Sequence, residues 1–239
     1  MSRFPFVSAR VPDRPAIARF QVYGERCSGT NFLIRLMEEN VTSAAFTEDF
    51  GFKHWFVPET LVLPPDTLGL VIAREPHAWL QSLHEKAWHH PPEVKALGFS
   101  DYIRAEWRCV WDDPWLPVGP DDPRWMTEMT HERHPRTGAR VRDALEMRRL
   151  KAENFARLGA RSPAFAVLRY EDLRADPRGV LDALGRWGVA CGPYAPIRTY
   201  KGDGDRPYVP KDRPPLSPED AAWVAERLDR DAEALLGYG

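Results

Sequence analysis

Cysteine is scarce in this chain. Cys27, Cys109 and Cys191 are its three; they are odd in number and far apart, form no metal-ligand spacing, and suggest a reducing compartment. Long apolar runs are missing too. None approaches the roughly 20 residues that a membrane span needs. The opening Met-Ser-Arg-Phe-Pro-Phe-Val-Ser-Ala-Arg lacks an apolar core of signal-peptide length. Together these absences set the expectation of a cytoplasmic protein. Neither charge dominates: 33 Lys and Arg stand against 35 Asp and Glu, so no global basic field recruits nucleic acid. There is no internal repeat and no low-complexity tract. What remains is 239 residues, 43% of them hydrophobic, enough for one domain with a sizeable core.

The apolar pattern sets strands against helices. Residues 17–23 are β-like, and residues 30–40 carry Phe32, Leu33, Leu36 and Met37 at helical spacing. A second strand is expected within 44–56, ending near Lys53-His54. The apolar run 68–73 suits a buried parallel strand, and Pro76 opens a helix running to about His89. A helix is expected over 99–110, a long insertion or lid within 89–136, and a charged, solvent-facing helix over 141–158. Residues 164–168 form another buried strand. Asp176-Pro177 opens a helix ending near Gly188, and Ser217 caps a last helix reaching about Leu236. The expected fold is therefore α/β and three-layered, with a mostly parallel central sheet flanked by helices. Ligands in such folds bind at the carboxyl ends of the strands, which puts residues 24–31, His54, Arg74 and Tyr170 along one rim.

The turn Gly24-Glu25-Arg26-Cys27-Ser28-Gly29-Thr30-Asn31 lies between the first strand and the first helix. Such a turn aims backbone N–H groups and a helix N-terminus at one spot, a place for phosphate or sulfate. Its Gly24-x4-Gly29 spacing is that of a Walker A loop. Thr30-Asn31, however, stands where a nucleoside triphosphatase needs Lys and then Ser or Thr. The loop suits an anion but lacks the lysine and the magnesium-binding hydroxyl.

With three further segments the chain resembles the sulfotransferases that use 3′-phosphoadenosine-5′-phosphosulfate (PAPS). Cys27-Ser28-Gly29-Thr30-Asn31-Phe32 is similar to their 5′-phosphosulfate loop. Arg74 and Ser82, in Leu70-Val-Ile-Ala-Arg74-Glu-Pro76-His-Ala-Trp-Leu-Gln-Ser82, resemble the pair that grips the 3′-phosphate. Lys53-His54 falls where the family often carries Lys-Thr-His, and Tyr170-Glu171-Asp172-Leu173 matches the strand end whose tyrosine lies near the adenine. A weaker likeness joins Lys201-Gly202 to a late loop over the 3′-phosphate.

The resemblance implies a P-loop type fold and transfer of a sulfonate from PAPS to an acceptor hydroxyl, or less readily an amine, of a small molecule or glycan, without a metal. His54 is the expected base, with Glu25 in the loop as the other candidate. Phe32 offers a flat face to the adenine. The family usually has Lys or Arg where this chain has Cys27, so Arg26 or Lys53 is expected to meet the leaving group. Tryptophans 107, 111, 115 and 125 are either acceptor-pocket walls or packing. Two competitors stand beside this reading: a P-loop kinase-like phosphotransferase and a non-catalytic, nucleotide-binding homologue.

Overall fold

The computed structural model describes residues 16–112, 118–199, 207, 209 and 211–239. Its centre is a four-stranded, all-parallel sheet in the order β2-β1-β3-β4, built from β1 (Arg19–Tyr23), β2 (Ala45–Phe46), β3 (Thr67–Ala73) and β4 (Phe165–Arg169). The register pairs Tyr23 with Val71 and Ala73 with Arg169, so the carboxyl ends of β1, β3 and β4 form one edge. Nine α-helices are described: α1 (Thr30–Asn40), α2 (Pro76–Glu85), α3 (Pro92–Lys95), α4 (Phe99–Arg104), α5 (Ala144–Ala160), α6 (Tyr170–Ala175), α7 (Pro177–Leu184), α8 (Pro218–Arg227) and α9 (Arg230–Leu235).

Side chains alternate along each strand, so the sheet has two apolar faces to cover. Phe20, Val22, Leu68, Leu70, Ile72, Ala166 and Leu168 pack on one side with α1 and α7. Tyr23, Val71, Ala73, Phe165 and Val167 pack on the other with Ala152, Phe155 and Leu158 of α5 and Ala232 of α9. The expected α/β architecture of helices on both faces of a parallel sheet is what the chain adopts. A third cluster joins α2, α4, α5 and α8 through Leu80, Ile103, Leu150 and Val224.

Several elements are shorter than their patterns suggest. β2 has two residues, since the chain leaves it for the turn that carries His54. The helix expected over 99–110 stops at Arg104, because Ala105 is extended and Trp107 N–H then donates to Val141 O at 2.9 Å. The last helix divides at Leu228, also extended, and Asp229 caps the second part by accepting from Ala232 N–H.

One expectation is corrected. Helix α5 does not present a wholly solvated charged face: Arg148 and Lys151 are each 1% exposed. Within 89–136, where a lid or insertion is expected, Trp107, Met129 and Glu132 are buried in the interior. Among the described residues, no helix is long and apolar enough to cross a membrane.

Candidate functional site

The loop after β1 is a tight cradle. A Cβ on Gly24 would stand 2.5 Å from Ile72 O and 2.7 Å from Ser28 Oγ, so only glycine fits between β1 and β3. Gly29 has φ +106°, a left-handed value, and a Cβ there would meet the Tyr170 ring at 2.5 Å. Cys27 also has positive φ, 63°, which is strained for a residue with a side chain. Ser28 is sealed in. Its hydroxyl donates to Glu25 O at 2.7 Å and its N–H to the same oxygen at 3.2 Å, so it shapes the turn from within. Thr30 then starts α1, whose N-terminus has no side-chain cap and no acidic residue in its first turn. Its leading N–H groups have no intrahelical acceptor and carry the positive end of the helix dipole.

Beside this cradle, Arg74 leaves the end of β3. Its Nη1 donates to Ser82 Oγ at 2.9 Å, and its guanidinium lies 4.7 Å from the Tyr170 ring centre. Tyr170 in turn meets Phe32 edge-on, with centroids 6.3 Å apart. The structure thus gathers Gly29, Phe32, Arg74, Ser82 and Tyr170 at one corner.

A further cation reaches that corner from far along the chain. Arg213 Nη2 donates to the same Ser82 Oγ at 3.1 Å and pairs with Glu85, as does Lys211. Both Arg74 Nε and Arg213 Nε are buried without a hydrogen-bond partner. Two guanidiniums converging on one hydroxyl, each with a spare donor, suit a multiply charged anion. Sequence reasoning missed Arg213. It sits in a Gly, Pro and charge-rich stretch where no local pattern distinguishes it from its neighbours.

His54 stands at the base of the loop. Its Nδ1 is 2.8 Å from Gly24 O, which can only accept, so Nδ1 carries the proton. Burial, and then the Lys53 ammonium, hold the imidazole well below the ordinary histidine value. The ring is therefore neutral with its lone pair on Nε2, which has no hydrogen-bond partner among the described residues. Lys53 lies 3.7 Å from half-exposed Glu48 and over the Phe52 ring at 5.1 Å.

Other expected residues lie elsewhere. The structure does not bring Arg26 to the mouth of the loop. It is 3% exposed, with its guanidinium turned inward on Glu132 (2.5 Å), Trp88 O and Cys109 Sγ (both 3.0 Å). Glu25 also points inward, onto Arg148 at 2.8 Å. Burial pushes the Cys27 thiol up to about 11, despite Arg26, Lys86, Arg74 and Arg213 nearby, so it is an uncharged thiol at neutral pH. Asn31 is exposed at the helix start. Lys201 and Gly202, like Trp115, fall outside the described residues. Trp107 is a packing residue whose Nε1–H donates to Glu132, whereas Trp111 sits edge-on to Trp55 and His131. Among the described residues, no three His, Cys, Asp or Glu side chains converge as a metal site.

Searches against protein-family models, curated proteins and solved structures each returned no match.

Proposed function

We propose that this chain is a PAPS-dependent sulfotransferase with a P-loop type cradle. One observation carries the reading: Arg74 and Arg213 meet at Ser82, each with an unpartnered Nε, beside an uncapped helix N-terminus. That corner and that helix start are two separate anion sites, and a 3′-phosphorylated adenylate with a charged 5′ end has two separate anions.

In this reading Arg74, Arg213 and Ser82 hold the 3′-phosphate. The backbone of Gly29, Thr30 and Asn31 holds the 5′ end, with Cys27 and Ser28 shaping the turn. Phe32 and Tyr170 flank the adenine. PAPS, when bound, supplies a sulfonate on a phosphate leaving group. His54 Nε2 takes the proton of the acceptor hydroxyl, and its neutrality keeps it available through neutral pH. Lys53, next to His54 in the chain, brings an ammonium that stabilises the charge that develops. An open cleft of about 480 Å³, lined by Phe56, His131, Arg133 and His134, is the candidate acceptor site.

Thermal melting tests the donor. Adenosine 3′,5′-bisphosphate at a hundredfold excess over its Kd is expected to stabilise the fold by about 2.7 kcal/mol, a rise in Tm of roughly 5–10 °C. Adenosine 5′-monophosphate at equal concentration should give much less. Equal shifts would end the reading, and a larger shift with ATP and magnesium would favour phosphotransfer. Turnover is the second test: His54→Gln should lower kcat by about 100-fold or more while the Kd for the bisphosphate stays nearly unchanged. Bisphosphate binding with no turnover on any acceptor would instead make this a nucleotide-binding homologue.

A further inference from the structure

The second residue of the anion loop is an acid, and its carboxylate lies under the loop rather than at its mouth. Glu25 is 4% exposed. Its Oε2 accepts from Arg148 Nη1 at 2.8 Å, while its Oε1 is buried with no hydrogen-bond partner. Arg148, on α5, spends its other donors on Glu233 of α9, with Nε to Oε1 at 2.5 Å and Nη2 to Oε2 at 2.8 Å, and on Arg74 O at 3.0 Å. One guanidinium therefore serves two buried carboxylates and also holds the backbone of the phosphate corner.

The charges around Glu25 come from every element packed there. α5 contributes Arg148 and, one turn on, Lys151, which is committed to Glu132 at 2.7 Å and to His54 O. α9 contributes Glu233. The loop contributes Arg26, itself paired with Glu132. Tyr238 stacks beside Arg148 at 5.8 Å, and its hydroxyl donates to Glu171. The cations are shared unevenly: Glu132 has two to itself, whereas Glu25 and Glu233 divide one. Two carboxylates on one cation in a dry site are costly to keep charged together. Glu233 holds the bidentate pair, which leaves Glu25, with its orphan oxygen, the less well stabilised carboxylate of the two. Burial, opposed by Arg148 and reinforced by Glu233, pushes the Glu25 carboxyl up to about 7.

We propose that Glu25 takes a proton from solvent when an anion seats in the loop above it, so that loop occupancy and proton uptake are linked. This rests on the part of the functional reading that makes residues 24–31 an anion site, and on nothing else in it. An anion overhead adds a second negative charge to the one Glu25 carries, and in a low-dielectric site the cheaper state is the neutral acid. The sign follows. The bound state holds Glu25 protonated to higher pH than the free state does, so affinity is greatest at low pH and falls as pH rises through about 7.

Inorganic sulfate is the probe, because its own charge is constant across the range. Calorimetric titration of the full chain in two buffers of different ionisation enthalpy should show uptake of up to about one proton near neutral pH. The Kd should rise about tenfold between about pH 6.5 and pH 8. Glu25→Gln should bind sulfate with a flat pH dependence and no uptake. Glu233→Gln removes the charge that raises Glu25 and should move the fall in affinity to lower pH; it decides the matter if Glu25→Gln does not fold. Uptake that survives Glu25→Gln overturns the inference, as does a pH-independent wild type or an absence of sulfate binding. Proton-linked sulfate binding without any preference for the bisphosphate would sink the nucleotide reading and leave this one standing. Bisphosphate binding with no proton linkage would do the reverse.

Discussion

Arg74→Ala is expected to weaken adenosine 3′,5′-bisphosphate binding by about 100- to 1,000-fold and to leave adenosine 5′-monophosphate within roughly threefold of the wild type. A charge-assisted contact to phosphate in a desolvated corner is worth about 2–5 kcal/mol when one partner is truncated. Only the first ligand has a phosphate there. Structurally the change removes the bond to Ser82 and the contact with the Tyr170 ring, which are lost equally for both ligands. Arg74 makes no ion pair among the described residues, its Nε has no partner, and its carbonyl, the group that Arg148 holds, survives in alanine. Paired Kd measurements by calorimetry check it. Equal losses for both ligands would mean that Arg74 shapes the loop rather than reads the 3′ position.

Arg148→Met is expected to cost about 3–5 kcal/mol of folding stability. The side chain is 1% exposed and is the cation for both Glu25 and Glu233. Methionine roughly fills the space but strands two carboxylates in the interior, and removing one member of a buried ionic cluster costs far more than the cluster contributes. Urea unfolding of wild type and variant measures the difference. Adding Glu233→Gln to Arg148→Met should recover part of the loss by removing one stranded charge. A loss below about 1 kcal/mol would show that water reaches the cluster and that the lattice behind the loop is not dry.

Much of the frame was legible locally. Leu68-Gly-Leu-Val-Ile-Ala73 is apolar at every position but one, and all seven residues of β3 are buried, as a central parallel strand requires. Proline at the starts of α2, α7 and α8, with Asp176 and Ser217 as caps, marked where those helices begin. The Gly24-x4-Gly29 spacing marked the cradle, because a positive φ and a lack of room for Cβ are demands on single residues. Arg74 and Ser82 were also legible, since eight residues across a strand end and a helix start hold them together.

The remainder was hidden by distance along the chain. A charged stretch such as 141–158 has the composition of a solvated helix. Nothing in it tells that Arg148 finds Glu25, 123 residues away, and Glu233, 85 residues away. Arg26 looks like a loop cation until Glu132, 106 residues on, takes it inward. Arg213 joins Ser82 across 131 residues. Residue type, spacing and turn chemistry alone determined the strands, the caps and the tight turn after β1, because these depend on backbone geometry within a few residues. The tertiary structure decided which charges are spent in the interior and which are not, because a charge's role is set by its partners and its access to water, and both are settled only when distant segments pack.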